Sequence, residues 1–387
     1  MRSRFAGLVL ALAGALALGG CVTLPRTSFT AADQALASVP GFDHVRYVQN
    51  DPALTTMLST MVKADAHGEV NVLALSGGGA NGAYGAGLLY GWTKTGGRPD
   101  FQIVTGVSTG ALMAPFAFLG SATDEDLKTA YTGLDAQHVL EVRGAYGLFT
   151  PGLYSELPLE RLVRTYVTDD VIRAVAAQYA RGRRLMVATT DLDTEQLVVW
   201  DMGAIAAHGG PAARSLFVKV LVASASVPGV FPPTMIEVRA GGLRFEEMHV
   251  DGQTEGAFFA VPEDLLLMKR LPSAPFKVHL YVVVNGQLDN VFAMTPRATV
   301  PILARAIETA NKASIRAVVT TTFEFCFRRG CSLKLSALPP AAVDNPLDFS
   351  AAHLQSLFDA GQAAIQAGTA WRDTPAAPVV AQPSPAP

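Results

Sequence analysis

Two apolar runs, each followed by a glycine-rich turn and a stretch of small and apolar residues, stand out in the pattern of hydrophobic and polar positions. The first run spans residues 72–75 and enters the turn 76–82, and the second spans residues 103–105 and enters the turn 106–110. A short continuous apolar run predicts a strand buried on both faces, and the residues after each turn favour a helix. Because only about thirty residues separate the turns, a right-handed crossover is expected to set the strands parallel, with both turns at one edge of the sheet. That edge is where open α/β sheets place their functional sites.

The rest of the chain adds further buried strands and covering helices. Strands are predicted at residues 184–190, 195–201 and 276–285, and helices at residues 54–62, 212–226, 304–323 and 353–371. These segments are expected to form one domain that spans residues 41–372. Residues 373–387 are rich in proline and alanine, a composition that predicts a disordered tail.

The first twenty residues have the pattern of an export signal. Arg2 and Arg4 form a basic start, the apolar run 5–18 is too short to span a bilayer, and Leu-Gly-Gly precedes Cys21. This resembles a bacterial lipoprotein signal, which implies cleavage before Cys21 and lipid attached to its sulfur; an ordinary secretory signal is the alternative. Residues 21–40 are polar and are predicted to form a tether between lipid and domain. Since no Asp directly follows Cys21, the expected location is the outer membrane of a Gram-negative cell.

The composition of the chain limits the kinds of binding partner and of metal or cofactor site that we expect. Of the 387 residues, 50% are hydrophobic and 16% are charged, which is enough apolar side chain for a sizeable core. The net charge of −3, without a run rich in Lys or Arg, predicts no nucleic-acid partner. Export makes a disulfide between Cys326 and Cys331 the expected state of these two residues. Two cysteines without a nearby histidine fall short of a metal-ligand set, so we predict neither a metal nor a cofactor.

The second turn has the Gly-x-Ser-x-Gly pattern of a nucleophile elbow. Gly106 and Gly110 lack side chains, so the chain can turn sharply from strand to helix and lift Ser108 clear of its neighbours. The amides and the positive dipole end of the following helix then lie close to a reacting oxygen. Ser108 is therefore the candidate nucleophile.

Three interpretations are open for the consecutive glycines of the first turn, Gly77, Gly78 and Gly79. Their amides could form an oxyanion hole for acyl transfer. The spacing Gly77-x-Gly79-x-x-Gly82 also fits a dinucleotide fingerprint, but the next strand does not end in the acidic residue that such a site uses. Close packing of a helix on the sheet is the third interpretation, and it does not account for three glycines together.

Asp251 ends a short predicted strand that includes residues 248–250, and it is followed by Gly252. Such a turn can aim a carboxylate at a neighbouring group. An Asx-turn without a catalytic role is the commoner reason for an Asp-Gly dipeptide, so the dipeptide alone does not decide between the two.

Between about residues 71 and 371 the motifs together resemble those of the patatin-like phospholipases. They are the glycine loop, the elbow, the segment Ser-Ala-Ser-Val-Pro with Phe-Pro-Pro that begins at residue 224, and Asp251-Gly252. The resemblance implies a three-layer α/β/α fold around a mixed, largely parallel sheet, a Ser–Asp pair without histidine, and lipid acyl hydrolase activity. It also implies that Ser108 is the nucleophile, that Asp251 is its partner, and that loop 77–79 forms the oxyanion hole. The substrate would be a membrane lipid or another acyl ester.

Two positions depart from the family pattern. Asn81 stands where the glycine loop usually has Lys or Arg, and Gln253 stands where Gly or Ala usually follows Asp-Gly. Neither departure removes a catalytic atom. The missing positive charge weakly favours a neutral or zwitterionic ester as substrate.

Two other functions are alternatives. An α/β-hydrolase with a Ser–Asp–His triad needs a late histidine, yet His279 lies within a predicted strand and His353 opens a predicted helix. The second alternative is a lipoprotein with an inactive site that binds lipid or a partner, although Ser108 and Asp251 are both present. The sequence indicates no oligomeric state.

Overall fold

A nine-stranded sheet forms the centre of the computed structural model, which describes residues 26–143, 151–262, 265–266 and 276–374. The predicted signal peptide, Cys21 and the tail beyond residue 374 lie outside these residues. The strands are β1 (Arg46–Val48), β2 (Glu69–Leu75), β3 (Ile103–Val107), β4 (Arg184–Asp191), β5 (Gln196–Asp201), β6 (Thr234–Ala240), β7 (Leu243–Asp251), β8 (Lys277–Val284) and β9 (Ser332–Ala337). The helices are α1 (Ala31–Ala35), α2 (Pro52–Met61), α3 (Gly82–Lys94), α4 (Thr109–Leu119), α5 (Asp124–Thr132), α6 (Leu134–Gln137), α7 (Leu157–Tyr166), α8 (Asp169–Ala180), α9 (Met202–His208), α10 (Gly210–Ser224), α11 (Thr299–Arg329) and α12 (Ala351–Gln366).

The sheet is mixed and largely parallel. Its strands follow the order β1-β5-β4-β3-β2-β8-β9, and β7 pairs with both β4 and β6. Strands β4, β3, β2, β8 and β9 are parallel to one another, whereas β1, β5, β6 and β7 pair antiparallel. The carboxyl ends of the five parallel strands therefore share one edge of the sheet, which we call the active-site edge.

Helices cover both faces of the sheet, because successive residues of a strand point to opposite sides. On β2, Leu73 and Leu75 pack into a core that includes α3 and α12, whereas Val72 and Ala74 pack into a core that includes α11. A strand buried on both faces has apolar residues at every position, which explains the continuous apolar run in the sequence. The predicted three-layer α/β/α fold is confirmed.

Helix α11 is longer than the predicted helix at residues 304–323, since it begins at Thr299 and ends at Arg329. The next residue, Gly330, has a left-handed conformation with φ of 72° that ends the helix. The sulfur atoms of Cys326 and Cys331 are bonded to each other at this end. Among the helices in the described part of the chain, none is long and apolar enough to cross a membrane.

The segment predicted as a tether, residues 21–40, packs on the domain from Arg26 onward. The Arg26 guanidinium donates to both carboxylate oxygens of Asp193, at 2.8 and 2.5 Å, and the Phe29 ring stacks on that of Phe245 at 4.2 Å. The folded part therefore begins well before residue 41. Its polar composition suggests a tether, but that composition includes the ionic and aromatic side chains that hold the segment in place.

Candidate active site

Ser108 lies on a sharp turn between β3 and α4. Its φ of 56° is unusual for a residue with a side chain, and such a backbone costs about 1–3 kcal/mol, which the surrounding structure must offset. The flanking glycines allow the turn, because a Cβ atom on Gly110 would lie 2.4 Å from the carbonyl oxygen of Leu75. A Cβ atom on Gly106 would lie 2.5 Å from the carbonyl oxygen of Gly110. The local geometry is therefore that of a nucleophile elbow.

The Ser108 hydroxyl donates a hydrogen bond to the carboxylate of Asp251. The distance between Ser108 Oγ and Asp251 Oδ2 is 2.5 Å, and both side chains are buried. The other carboxylate oxygen, Oδ1, accepts the backbone N–H of Gln253 at 2.8 Å. Burial raises the pKa of Asp251 to about 7, against the smaller lowering effect of these two hydrogen bonds. A carboxylate with this pKa is a far better proton acceptor at neutral pH than an exposed aspartate.

Strand β7 brings Asp251 to Ser108 because it takes the place of β3 beside β4. Strand β3 ends opposite Ala188, and β7 pairs with the last residues of β4, with Asp251 opposite Thr189. The chain must pass close to β4 at the next residue, where a Cβ atom on Gly252 would lie 2.5 Å from the carbonyl oxygen of Ala188. The Asp-Gly dipeptide is thus placed by the sheet and does not act only as a turn.

One short segment after α10 fixes both members of the pair. The Ser224 hydroxyl accepts the backbone N–H of Ser108 at 3.0 Å and donates to the carbonyl oxygen of Ala188 at 2.7 Å. Two residues later, the carbonyl oxygen of Ser226 accepts the backbone N–H of Asp251 at 2.9 Å. The sequence identifies this segment as a motif but does not reveal that it positions Ser108 and Asp251.

The glycine loop runs directly beside Ser108. A Cβ atom on Gly77 would lie 2.9 Å from the Cβ of Ser108, and one on Gly78 would lie 1.9 Å from the carbonyl oxygen of Asn285. Gly78 and Gly79 have positive φ values of 154° and 56°. Within the described residues, the N–H groups of Gly77, Gly78 and Gly79 have no hydrogen-bond acceptor. These amides are therefore free to bind an oxygen atom at the nucleophile.

Two asparagines hold this loop from behind. Asn285 donates its backbone N–H to the Ser76 hydroxyl at 2.9 Å and its side-chain amide to the Ser76 carbonyl at 2.8 Å. Asn81 donates to a carboxylate oxygen of Asp344 at 2.6 Å, and the other oxygen lies 3.2 Å from the Lys312 ammonium. Asn81, which stands where the family usually has Lys or Arg, thus anchors the glycine loop to the segment that contains Asp344.

A cavity of about 90 Å³ extends from Ser108 between α4, α7 and α10. Its lining is almost entirely aliphatic and aromatic, with side chains that include Leu112, Phe116, Leu140, Leu159, Leu162, Val163, Val167, Leu221, Val230, Phe231, Leu347, Phe349 and Leu354. An acyl chain is the kind of group that such a cavity binds, because apolar surface is transferred from water.

Histidines and metal ligands are not part of this arrangement. All seven histidines lie in the described residues, and none of them hydrogen-bonds to Ser108 or Asp251. His279 lies within β8 and bonds to Ser332, and His353 lies in the first turn of α12. In the part of the chain that the structure describes, no group of three or more His, Cys, Asp or Glu side chains could hold a metal ion.

Comparison with known proteins gives a match to a family model and distant similarities to solved structures. Residues 73–260 match the family model described as patatin-like phospholipase, whereas no curated protein sequence matches the chain. Among solved structures, VipD from Legionella pneumophila is 12% identical with a TM-score of 0.36, over 76% of this chain and 67% of that one. The human GIVD cytosolic phospholipase A2 is also 12% identical, with a TM-score of 0.33, over 82% of this chain and 53% of its own. The chain thus spans about half the length of the human protein.

The family match begins within β2 and ends beyond β7. It therefore includes the glycine loop, the elbow with Ser108, and Asp251, which are the three parts that meet at the active-site edge. Residues 73–260 therefore form a patatin-like phospholipase domain.

Proposed function

We propose that the protein is a serine lipid acyl hydrolase in which Ser108 is the nucleophile and Asp251 is the only proton acceptor. The observation that supports this most directly is the 2.5 Å hydrogen bond between Ser108 and Asp251 beside an apolar cavity. The bond fixes the direction in which the hydroxyl proton leaves. The cavity provides a place for the acyl chain of an ester whose carbonyl carbon lies at Ser108.

In the first step, Ser108 Oγ attacks the ester carbonyl while its proton passes to Asp251 Oδ2. The negative charge that develops on the carbonyl oxygen is stabilised by the free amides of the loop 77–79, each of which contributes a few kcal/mol in comparable sites. Asp251 then returns the proton to the alcohol that leaves. The product is an acyl-enzyme in which the acyl chain lies in the apolar cavity.

In the second step, water takes the place of the alcohol. Asp251 accepts a proton from the water as it attacks the acyl carbonyl, and the same amides stabilise the second tetrahedral intermediate. Collapse of this intermediate breaks the bond between the acyl carbon and Ser108 Oγ, and Oγ takes the proton back from Asp251, which releases the fatty acid and regenerates the starting state. The near-neutral pKa of Asp251 suits both directions of proton transfer, because a group can accept and return a proton best when its pKa is near the working pH.

We further propose that the substrate is a phospholipid or lysophospholipid and that Cys21 anchors the protein to the outer membrane. The family supports a lipid substrate, and the sequence around Cys21 supports the anchor. The anchor would hold the active site near a surface rich in acyl esters. Because Asn81 is uncharged where the family usually has Lys or Arg, a positive charge is missing from the glycine loop, which favours a neutral or zwitterionic headgroup.

Labelling and product analysis test this function together. A fluorophosphonate probe is expected to modify Ser108, detected by mass spectrometry of the peptide, and wild-type protein is expected to release free fatty acid from phosphatidylcholine and lysophosphatidylcholine. Prior reaction with the probe should remove both activities, since the serine oxygen is blocked. Absence of labelling together with absence of fatty-acid release would instead identify a lipid-binding protein with an inactive site.

The pH dependence gives a second test. Because Asp251 must be deprotonated to accept the proton, kcat/KM for a neutral short-chain ester is expected to fall as pH drops below about 7, the pKa of Asp251. A histidine could give a similar acid limb, so the profile should be repeated in the His279→Ala, His353→Ala double variant. The limb is expected to persist there. An acid limb near pH 4 would contradict the proposal, because it would assign Asp251 the pKa of an exposed carboxyl.

A further inference from the structure

Helix α11 extends beyond the sheet at the active-site edge. It connects the parallel strands β8 and β9, so it begins at that edge and runs back to the opposite one. Its 31 residues span about 46 Å, whereas the eight residues of β8 span about 26 Å. The first buried side chain on α11 among the described residues is that of Ile315. The first half of the helix, with the preceding loop, therefore forms a projecting arm, which consists of residues 289–311.

The arm exposes large apolar side chains on both of its parts. On the loop, Phe292 is 90% exposed and Met294 is 88% exposed. On the helix, Leu303 and Ile307 are exposed and lie one turn apart on the same face, beside exposed Ile302. Single exposed apolar residues are common on soluble proteins, but a group of five on one projecting element marks an interaction surface.

The arm has no net charge of its own in an acidic protein, and basic side chains lie along it and at its base. The arm contains Arg297 and Arg305 against two acidic side chains, Lys312 and Arg316 follow at the base, and the whole chain has a net charge of −3. Arg305 also donates to the carbonyl oxygen of Val291, which fastens the loop to the helix. Apolar side chains flanked by arginines are typical of elements that lie in the headgroup region of a bilayer.

The opposite flank of the active-site edge indicates where a bilayer would lie. Arg26 is fixed there, because its guanidinium binds Asp193, just beyond the end of β4, and the carbonyl oxygen of Glu246 within β7. Cys21 precedes Arg26 by five residues, a separation of at most about 18 Å in extended chain. A lipid on Cys21 would therefore bring the bilayer to this edge. In the strand order β4-β3-β2-β8, Ser108 lies between this flank and the arm.

We propose that the arm inserts its apolar side chains into the surface of a lipid bilayer. The arm and the lipid on Cys21 would then hold the active-site edge against the membrane at two points. The choice of a bilayer rests on the proposed lipid substrate and on the proposed lipid at Cys21. The base of the arm is also linked to the glycine loop, because Lys312 pairs with Asp344, which accepts a hydrogen bond from Asn81. Insertion would thus hold the glycine loop and the opening of the cavity against the source of substrate.

Fluorescence quenching tests the insertion directly. Phe292→Trp in full-length Ser108→Ala protein, which leaves lipid intact, is mixed with vesicles of equimolar phosphatidylethanolamine and phosphatidylglycerol that contain brominated acyl chains. The emission of the new tryptophan is expected to shift to the blue and to be quenched. Phe327→Trp is the matched control, because Phe327 is 78% exposed at the other end of the same helix. It is expected to show neither change. Equal behaviour of the two variants, or absence of any quenching, would overturn the proposal.

Activity on two kinds of substrate distinguishes a role of the arm in membrane binding from a role in catalysis. In otherwise wild-type protein, the combined changes Phe292→Ser, Leu303→Ser and Ile307→Ser are expected to lower phospholipid hydrolysis in these vesicles by at least about tenfold, since three large apolar contacts with lipid are lost. Hydrolysis of a soluble short-chain ester should stay unchanged. Quenching of Phe292→Trp without any ester hydrolysis by wild-type protein would remove the proposed function but leave the arm proposal standing. A lipid-free dimer that the triple variant abolishes would assign the arm to a second copy of the chain and overturn it.

Discussion

Ser108→Ala is expected to lower kcat for ester hydrolysis by about four to six orders of magnitude, because no other hydroxyl takes the place of the nucleophile. Asp251→Asn is expected to lower it by about three to four orders, since an amide cannot accept the proton from Ser108. The double variant should be no less active than Ser108→Ala alone. The two residues act as one unit through a single hydrogen bond, so the second change removes nothing that the first has left working. Steady-state kinetics with a soluble ester measures all three variants.

The controls for this experiment come from the histidines. His279→Ala and His353→Ala are expected to retain activity, since neither ring contacts Ser108 or Asp251. Circular dichroism spectra of all variants should match that of the wild-type protein. Losses that multiply in the Ser108→Ala, Asp251→Asn double variant would contradict the dyad, as would loss of activity in a folded histidine variant.

The parts of the site that could be predicted from the sequence are those that local backbone chemistry determines. Glycines at 106 and 110 are needed on either side of Ser108 because side chains there would collide with backbone atoms. The same holds for the glycine loop and for Gly252. Apolar runs without polar interruptions indicate strands buried on both faces, which limits the fold to a covered parallel sheet. The order of the strands and turns along the chain then predicts that the two strands are parallel, so the glycine-rich turns that follow them lie at the same edge of the sheet.

The residues that hold the site in place could not be predicted, because their roles depend on contacts between distant parts of the chain. Ser224 and Ser226 position the two proposed catalytic residues, which lie far away in the sequence. Asn285 is far from the glycine loop in sequence and is joined to it only because β8 lies beside β2. Neither residue type nor spacing reveals such a partner.

The contacts that hold β7 in place could not be predicted from the sequence either. The His249 ring lies between the Thr189 hydroxyl, at 2.9 Å, and the Glu247 carboxylate, at 3.1 Å, and Glu247 also pairs with Arg46 near the N-terminus. This buried network fixes the strand that ends in Asp251. Its members lie in three separate parts of the chain, so a sequence pattern around Asp251 shows only the aspartate.

Asp251→Asn is expected to stabilise the protein at neutral and alkaline pH while it removes activity. The fully buried carboxyl has a pKa of about 7, whereas its usual value, which holds in the unfolded chain, is 3.8. Folding therefore favours the protonated form, so the stability contribution of this group is complete below about pH 4 and is lost as pH rises toward 7. Above that pH the buried charge destabilises the folded state by up to about 4 kcal/mol, since each pKa unit corresponds to about 1.4 kcal/mol. Asparagine has no such charge, and its side chain can donate to Ser108 and accept from the N–H of Gln253.

Denaturant unfolding of wild-type and Asp251→Asn protein at a series of pH values measures this effect. The difference in free energy of unfolding cancels the titration of all groups that the two proteins share, so it reports Asp251 alone. It is expected to change in favour of the variant between about pH 4 and 7 and to stay constant above that range. A difference that does not depend on pH would show that the carboxyl has the same pKa folded and unfolded. The residue would then gain nothing as a base from its burial, and the dyad chemistry would need another source of basicity. The fold would thus lose stability because it holds a carboxylate whose pKa suits a base at neutral pH. Such a loss is common at active sites, where the rest of the fold must stabilise groups whose pKa values are shifted.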